Sequence, residues 1–331
     1  MSKAKERILV TGGAGFIGSA LVWALNQRGI SDILVTDFLG RDEKWRNLPG
    51  LQFADLVDAG QFRSRIAQDS AAYGRFSHVF HLGACSSTTE TDAAYLLDNN
   101  FEVTKELAAW SLAQDARFVY ASSAATYGDG GQGMDDRAEI QLLRPLNMYG
   151  HSKQLFDLYA QRRGWLDRMA GLKYFNVFGP NEDHKGDMRS LVNKAFHEIR
   201  RSGKISLFRS HRDDYRHGEQ KRDFLYVKDA VEMTLHLGFA PNRPAGLFNL
   251  GSGAARTWND LAAAIFAALG RPAAIEYIDM PEILRGKYQY FTQANVTKLR
   301  ASGYQPPVTS LEEAVRDYVC EYLVKDRRLG Q

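Results

Sequence analysis

A tyrosine and a lysine four residues apart are the first side chains in this sequence that could do chemistry. Tyr149 and Lys153 stand at positions i and i+4, which share one face of a helix. A phenol with an unperturbed pKa of about 10 is a poor base at neutral pH, but a nearby ammonium group favours the phenolate and lowers that pKa. The pair could therefore take a proton from an alcohol, although an ordinary surface pair has the same spacing.

Two serines supply a further hydroxyl for such a centre. Ser122 and Ser123 directly follow the apolar run Phe118–Ala121. Ligands of doubly wound folds bind at the carboxyl ends of the strands, where a hydroxyl could hydrogen-bond the reacting oxygen. A helix cap or a turn would also explain a serine here, so the interpretation depends on what accompanies it.

A glycine-rich loop near the start of the chain is a further motif that could bind a ligand. Gly12, Gly15 and Gly18 lie between a short apolar run and a helical pattern. Glycine lets the chain turn sharply and lets the backbone approach a pyrophosphate, while the helix N-terminus offers free N–H groups to the phosphates. Asp37 follows at about the 20-residue spacing expected for a carboxylate that binds a ribose hydroxyl. The combination predicts a dinucleotide site.

The charges around Asp37 leave the type of dinucleotide open. The carboxylate favours NAD, because it would repel a 2′-phosphate. Arg41, Lys44 and Arg46 follow within nine residues and could neutralise that phosphate, as an arginine does in NADP sites. They could also be solvated loop charges. Residue types alone therefore do not separate NADP from NAD.

The elements that would position these residues alternate along the first half of the chain. Predicted strands alternate with predicted helices, which indicates βαβ units and a doubly wound parallel sheet of the Rossmann type with helices on both faces. The strands are predicted at Ile8–Val10, Ile33–Thr36, His78–Leu82, Arg117–Ala121 and Leu172–Val177, and the helices at Ser19–Arg28, at Val103–Ala113 and from about Tyr149 through Gln161.

The character of the sequence changes after Pro180. Residues 203–222 are rich in Arg, Asp and His, and the short elements that follow have no second glycine loop. We therefore predict a dinucleotide-binding domain over residues 1–180, joined by returning segments near 224–250. Residues 181–331 are predicted to form mostly a smaller α/β substrate-binding domain.

The composition excludes several other classes of protein. The 331 residues carry a net charge of +3, which gives no support for general nucleic-acid binding. Cys85 and Cys320 are the two cysteines, so a disulfide framework and a four-cysteine zinc site are ruled out, and we expect no metal. No uncharged apolar run reaches the roughly 18 residues of a spanning helix, and the charged start lacks the pattern of a signal peptide. We expect a cytoplasmic protein without a membrane partner.

Motifs spread over nearly the whole chain resemble the extended short-chain dehydrogenase/reductase family, whose members act largely on nucleotide sugars. The shared motifs are T-G-G-A-G-F-I-G at 11–18, Y-A-S-S-A-A-T-Y-G at 120–128, Y-G-H-S-K at 149–153 and R-D-F-L-Y-V-K-D at 222–229. Narrower segments are similar to the ADP-heptose 6-epimerases of this family, and they lie at 81–90, 98–100, 174–180, 184–186 and 287–294.

The resemblance implies roles for individual residues. Tyr149 and Lys185 would be the two acid/base residues, Lys153 would bind the cofactor and tune Tyr149, and Ser123 would assist at the oxygen. Cofactor contacts are implied for Gly12, Gly15, Phe16, Ile17, Gly18, Asp37, Phe38, Lys44, Leu82, Gly83, Ala84, Cys85, Ser86, Asn99, Tyr149, Lys153, Val177 and Lys185. Substrate contacts are implied for Ser86, Asn176, Asp187, Lys194, Phe208, Arg209, Ser210, His211, Arg222 and Tyr288, of which Asp187 and Lys194 depart from the family pattern.

The resemblance also implies a reaction. An ADP-heptose 6-epimerase interconverts ADP-D-glycero-D-manno-heptose and ADP-L-glycero-D-manno-heptose by transient oxidation at C6″ with bound NADP. Because the nicotinamide stays fixed, one tyrosine cannot reach the substrate oxygen in both of its positions at about 3 Å, which leads to a two-base hypothesis. The family further implies a homo-oligomer, expected to be a pentamer, and a role in making lipopolysaccharide core precursors.

Two other classes stay open at this point. UDP-hexose 4-epimerases and nucleotide-sugar 4,6-dehydratases share the broad motifs, but a dehydratase usually has an acidic pair after a threonine near the serine site, and residues 122–127 contain no acid. A non-catalytic dinucleotide sensor would not need the complete set of serine, tyrosine and lysine that this chain retains.

Overall fold

The computed structural model describes residues 6–286 and 288–331. Residues 1–5, and Lys287 from one of the segments that carry the resemblance, lie outside the described residues. The strands of the described residues are β1 (Ile8–Thr11), β2 (Ile33–Asp37), β3 (Asp55–Asp58), β4 (His78–His81), β5 (Arg117–Ser123), β6 (Ala170–Tyr174), β7 (Asn176–Phe178), β8 (Ile205–Phe208), β9 (Lys221–Tyr226), β10 (Gly246–Leu250), β11 (Ala255–Thr257) and β12 (Ile275–Ile278).

The helices surround these strands. They are α1 (Phe16–Gln27), α2 (Ala59–Gln68), α3 (Ala93–Leu96), α4 (Val103–Ala113), α5 (Met148–Arg162), α6 (Leu191–Ser202), α7 (Val227–Phe239), α8 (Trp258–Ala268), α9 (Glu282–Arg285), α10 (Thr297–Ala301) and α11 (Leu311–Asp317). Wider π-helical turns are formed by Leu97–Glu102 and Tyr318–Leu323, and short 3₁₀ helices by Glu43–Asn47, Ala124–Tyr127, Ile140–Leu142, Trp165–Asp167 and Asp183–Met188.

A seven-stranded parallel sheet in the order β10-β6-β5-β4-β1-β2-β3 forms the centre of the fold. The apolar runs predict its central strands because both faces of a parallel sheet are covered by helices. Ile8 and Val10 belong to the core cluster that includes residues of α1 and α7, whereas Leu9 belongs to the cluster that includes residues of α2, α4 and α5. The predicted doubly wound sheet is therefore confirmed.

The order in which successive strands are added to the sheet changes side at β1. This strand pairs with β2 and then β3 on one side, and with β4 and the later strands on the other. Loops that leave β1 and β4 consequently diverge and open a crevice at the carboxyl ends of these strands, where ligands of doubly wound folds bind. The glycine loop follows β1 directly and continues into α1. That helix begins at Phe16, three residues earlier than predicted, and ends at Gln27, just before Gly29 with its φ of +74°.

The predicted single strand Leu172–Val177 is wrong. The run is divided at Phe175, so β6 stays in the central sheet while β7 pairs with β9 in a three-stranded sheet of order β11-β9-β7. Phe175 itself is buried and donates its N–H to the carbonyl of Leu250. The residue types do not mark such a break, because no glycine or proline interrupts the run at Phe175.

The second half of the chain contributes to more than one sheet. β8 and β12 form a separate parallel pair, while β10 returns to the edge of the central sheet beside β6. The division into two domains near residue 180 stays a prediction. Among residues 6–286 and 288–331, no helix combines the length and apolarity needed to cross a bilayer. Cys85 and Cys320 are both free thiols.

Candidate active site

A cavity of about 900 Å³ opens at the carboxyl ends of β1, β4 and β5. It collects the glycine loop, the segment after β4, the end of β5, the face of α5 that carries Tyr149, and the 3₁₀ helix Asp183–Met188. These segments come from widely separated parts of the sequence. The fold therefore brings the chemistry-bearing motifs of the sequence into one space.

Close packing explains the spacing of the glycines. Gly12 has a φ of +67°, and a Cβ atom there would lie 2.6 Å from the backbone of Gly83. A Cβ atom on Gly18 would lie 2.0 Å from the carbonyl oxygen of Gly12. Gly15 precedes α1 and provides no side-chain cap for it. The start of α1 lines the cavity, and the N–H groups of a helix's first turn suit an anion such as a pyrophosphate.

Asp37 is tied to this loop. Its Oδ2 accepts hydrogen bonds from the backbone N–H groups of Ala14, at 2.9 Å, and Gly15, at 3.1 Å. Its Oδ1 accepts one from the Nζ of Lys44 at 3.2 Å, and the same ammonium group donates to the carbonyl of Phe38. An acid and a cation thus stand side by side in the cavity wall, where a ribose hydroxyl or a 2′-phosphate would bind.

The segment after β4 is held by Asn100, which lies in the segment 98–100 that carries the resemblance but received no role in the sequence predictions. Asn100 accepts the N–H of Cys85 at 2.8 Å and donates to the carbonyl of Cys85 at 3.0 Å. It also donates to the hydroxyl of Ser152 on α5. Asn100 lies in the π-helical turn Leu97–Glu102, a geometry that is frequent at functional sites. The turn therefore fixes the loop that carries Cys85 against α5.

Tyr149, Lys153 and Ser123 all line the cavity. α5 begins at Met148, with Asn147 accepting the N–H of Gly150 as a cap, so the predicted helix start near Tyr149 is confirmed. Burial raises the pKa of the Tyr149 phenol, and a side-chain hydrogen bond with Ser123 opposes this rise. The expectation that Lys153 lowers the pKa of Tyr149 is wrong for this structure, because burial is the dominant influence on the phenol.

Burial also changes the pKa of Lys153. Removal from water lowers the pKa of its ammonium group to about 8, and the negative charge of Asp157 opposes this change. Asp157 lies one turn further along α5, so Tyr149, Lys153 and Asp157 follow one another at i, i+4 and i+8 on one helix face.

Asp157 is the centre of a buried polar network that sequence reasoning missed. Its carboxylate pairs with the ammonium group of Lys173 at 2.8 Å, and the two side chains are 0% and 1% exposed. It also accepts hydrogen bonds from the hydroxyls of Tyr120 and Ser122, both at 2.8 Å, while Lys173 donates to Thr126. The network joins α5 to β5 and β6 directly behind Ser123.

Lys185 reaches the cavity from the 3₁₀ helix Asp183–Met188, which we call the Lys185 turn. Its ammonium group lies 5.4 Å from the centre of the Phe16 ring, at the start of α1. Burial lowers the pKa of Lys185, and the charge of Glu182 opposes this shift. A lysine with a lowered pKa is better able to act as a base near neutral pH.

Asn47 joins the Lys185 turn to the glycine loop. Its amide group donates to the carbonyls of Ala14 and Asn181, both at 3.0 Å, and lies 3.3 Å from the Nδ1 of His184. Asn47 ends the 3₁₀ helix that carries Lys44. Sequence reasoning did not select it, since an asparagine at the end of a short loop helix has no distinctive spacing.

The structure brings together most of the predicted cofactor residues but fewer of the substrate residues. Of the cofactor set, Phe38 and Asn99 do not line the cavity, and Phe38 is exposed. Of the substrate set, those that line it are Ser86, Asn176, Lys194, Phe208 and Tyr288, and those that do not are Asp187, Arg209, Ser210, His211 and Arg222.

The side chains outside the cavity have other partners. Arg209 pairs with Asp279 at 3.3 Å on the surface, whereas Arg222 is buried with its guanidinium over the rings of Tyr288, at 4.9 Å, and Trp258, at 5.6 Å. Arg222 thus stands directly behind two residues of the cavity wall. Among the described residues, no group of three or more His, Cys, Asp and Glu side chains has a geometry that could hold a metal ion.

Known proteins share both the sequence and the fold. The ADP-L-glycero-D-manno-heptose-6-epimerase of Nitratidesulfovibrio vulgaris (strain DP4) is 52% identical over 316 residues, which are 95% of this chain and 97% of that protein. The crystal structure of the Helicobacter pylori enzyme of the same name has a TM-score of 0.79 at 26% identity, covering 97% of this chain and 98% of that one. A Thermus thermophilus UDP-glucose 4-epimerase in complex with NAD has a TM-score of 0.73 at 27% identity, covering 96% and 99%.

These similarities confirm the resemblance to ADP-heptose 6-epimerases that the narrower segments indicated. Enzymes with this name are isomerases. A family model described as the NAD dependent epimerase/dehydratase family matches residues 8–251, which hold the glycine loop, the Tyr149 helix and the Lys185 turn. From this match, and from a relative that is 52% identical over nearly the full length, it follows that the chain belongs to the NAD dependent epimerase/dehydratase family.

Proposed function

We propose that this chain is an ADP-heptose 6-epimerase that interconverts ADP-D-glycero-D-manno-heptose and ADP-L-glycero-D-manno-heptose by inverting C6″. The observation that carries the proposal is that one cavity holds Ser123, Tyr149 and Lys153 together with Lys185 from a different element, beside the glycine loop. The names of the relatives support the choice of substrate. A nicotinamide dinucleotide bound at the glycine loop would take hydride from the substrate carbon and return it.

The residues of the cavity fit such a cofactor. The close backbone packing that Gly12 and Gly18 allow holds the start of α1 at the cavity, where the N–H groups of its first turn would bind a pyrophosphate. Asp37 and Lys44 would hold the ribose of the adenosine half, and Lys153 would hold the ribose next to the nicotinamide. The description of the family model and the NAD complex of the Thermus thermophilus enzyme support a cofactor of this type.

Proton transfer is assigned to Tyr149 and Lys185. Burial raises the pKa of the phenol and lowers the pKa of the amine, so burial shifts each group toward its neutral form. A neutral phenol can donate a proton at its hydroxyl, and a neutral amine can accept one at its Nζ, so the pair contains one acid and one base. Ser123 would hold the reacting oxygen by a hydrogen bond. Because the two groups come from α5 and from the Lys185 turn, each would serve a different position of the substrate oxygen.

We further propose NADP as the preferred cofactor. The Lys44 ammonium group lies 3.2 Å from Asp37 and would offset the repulsion between that carboxylate and a 2′-phosphate. Replacement of Lys44 by methionine should weaken NADP binding by about tenfold, the effect of losing roughly one charge-assisted hydrogen bond, and should leave NAD binding nearly unchanged. Calorimetric titration with both dinucleotides measures this, with Lys204→Met, in an exposed pair with Glu276, as the control. Equal losses for both dinucleotides would contradict the assignment.

Proton NMR of ADP-D-glycero-D-manno-heptose incubated with the purified chain and no added cofactor tests the activity. We expect conversion to the L-glycero epimer, because a cofactor that is regenerated in each turnover needs no external oxidant. UDP-galactose serves as the second substrate. Turnover of UDP-galactose instead would favour a UDP-hexose 4-epimerase, and bound dinucleotide without turnover of either substrate would favour a sensor.

Variants test the proton-transfer roles. Tyr149→Phe should lose activity by a factor of at least about 10², the usual size of an acid/base contribution, while it keeps its bound cofactor. Lys185→Met should be comparably damaging to kcat. Tyr159→Phe is the matched control, since Tyr159 lies further along α5 and packs against Phe101 and Trp165. If Lys185→Met raises KM only, a one-base mechanism is preferred.

A further inference from the structure

Residues 326–331, which we call the tail segment, pack against the Lys185 turn. Arg328 and Leu329 are buried, and Leu329 belongs to the larger core cluster. Gly330 approaches the loop after the Lys44 helix so closely that a Cβ atom on Gly50 would lie 2.4 Å from the Gly330 carbonyl oxygen. The tail segment is therefore an integral part of the wall behind the cavity, although none of its residues lines the cavity.

Asp183, the first residue of the Lys185 turn, is held from two sides. Its Oδ2 pairs with the guanidinium of Arg328 at 2.9 Å, with the two side chains 24% and 10% exposed. Its Oδ1 accepts a hydrogen bond from the amide of Asn193 on α6 at 2.7 Å. The guanidinium of Arg328 is itself oriented by Asp326 at 3.2 Å. A carboxylate with partners on both oxygens fixes the backbone that carries it.

Asn181, which precedes the turn, is held by the same tail segment. Its side-chain oxygen accepts the N–H of Leu329 at 3.0 Å, and its side-chain nitrogen donates to the Ser19 hydroxyl on α1. Asn181 is fully buried and has a φ of +78°, a backbone conformation that costs energy for a residue other than glycine. The surrounding bonds keep this conformation, which directs the chain into the Lys185 turn.

We propose that Arg328 is a positioning residue for Lys185, acting through Asp183. The proposal rests on the proposed function, in which Lys185 is the second acid/base. The Lys185 side chain extends into the cavity from a turn whose entry is anchored to the tail segment, since Asn181 and Asp183, four and two residues before Lys185, are both held by it. A small shift of this turn would move the amine away from the substrate oxygen, and a misplacement of about 1 Å can cost about 10²-fold in rate.

A double-mutant cycle between Arg328 and Lys185 tests the proposal. Arg328→Met should lower kcat by about tenfold with KM changed by less than about twofold, because placement of the amine and not substrate affinity is lost. In the Lys185→Met background the same change should cost less than about twofold, since residues that act through one another are not additive. Arg328→Lys, which keeps the charge on Asp183, should restore most of the rate. Arg28→Met, which breaks the exposed pair with Glu232, is the control.

The outcomes separate this proposal from the proposed function. If Arg328→Met lowers kcat by the same factor in both backgrounds, the effect is general destabilisation and the positioning role is overturned. If Lys185→Met leaves kcat at the wild-type level, the role of Lys185 itself fails. Asp183→Asn provides a second variant that keeps the size of the side chain and removes its charge, and chemical denaturation checks that each variant is folded. Wild-type kcat in both Arg328→Met and Asp183→Asn would also overturn the proposal.

Discussion

Replacement of Lys173 by methionine should destabilise the fold more than the loss of any surface ion pair. The change keeps most of the volume and the apolar stem of the side chain but removes the ammonium group. Asp157 would then remain buried with two hydroxyl donors, those of Tyr120 and Ser122, but without its paired ammonium group, and Lys153 on the same helix face would be the remaining cation that acts on it. Thr126 would lose its donor as well.

The magnitude follows from the geometry. Two unit charges 2.8 Å apart attract by roughly 6 kcal/mol at an effective dielectric constant of 20. Part of this attraction offsets the desolvation of the two groups, and breaking a buried pair by removing one partner costs about 3–5 kcal/mol in practice. We therefore expect Lys173→Met to lower the free energy of unfolding by about 3–5 kcal/mol. A second change, Asp157→Asn, should recover part of this loss, because the amide oxygen still accepts one hydroxyl without a buried charge.

Equilibrium unfolding in urea measures these differences, provided that unfolding is reversible. Lys204→Met is the matched control, since it removes a lysine from an exposed pair with Glu276, and it should cost at most about 1 kcal/mol. A loss below about 1 kcal/mol for Lys173→Met would refute the reasoning, because the pair would then behave like one on the surface. A double variant no more stable than Lys173→Met alone would show that the uncompensated charge is not the cause.

The remaining predictions concern pH and the glycine loop. Because the pKa of Lys153 is about 8, kcat/KM should fall as the pH rises above about 8 and the ammonium group loses its proton. Burial lowers the pKa of His81 to about 3 from 6.5, so the unfolded chain binds more protons between these values and stability should fall with falling pH. His81→Gln should flatten this decline in urea unfolding at pH 4 to 7. Gly18→Ala should abolish dinucleotide binding in a calorimetric titration, since its Cβ would meet the Gly12 carbonyl. Retained affinity would contradict this.

The sequence predicts the central sheet well because local signals agree with the tertiary structure there. Short apolar runs, a glycine loop with a steric need for its glycines, and a capped helix at Tyr149 all have local causes. The break at Phe175 is different. Leu172–Val177 has no glycine, proline or turn residue pair at Phe175, and its two halves are assigned to different sheets only by their partners, which lie far away in the sequence.

The parts of the site that sequence reasoning missed are polar residues with distant partners. Asp157 is one helix turn from Lys153, but the same spacing is common on solvent-exposed helices. The informative signal was Lys173, a charged residue inside an apolar strand, because a buried charge requires a partner. The sign of the pKa shift of Tyr149 was missed for a similar reason. Spacing on a helix indicates a neighbouring charge but not how deeply the phenol is buried.

The crossing at Phe175 has a consequence for how the crevice can change shape. A single residue connects β6 of the central sheet to β7 of the three-stranded sheet, and its side chain is buried while its N–H donates to the carbonyl of Leu250. The connection is too short and too well packed to act as a flexible linker, so we expect no hinge between the two sheets at this point. We therefore expect adjustment to ligands of different size to come from loops and side chains around the rim, while Asn176 and Val177, which directly follow Phe175 and line the cavity, keep their positions.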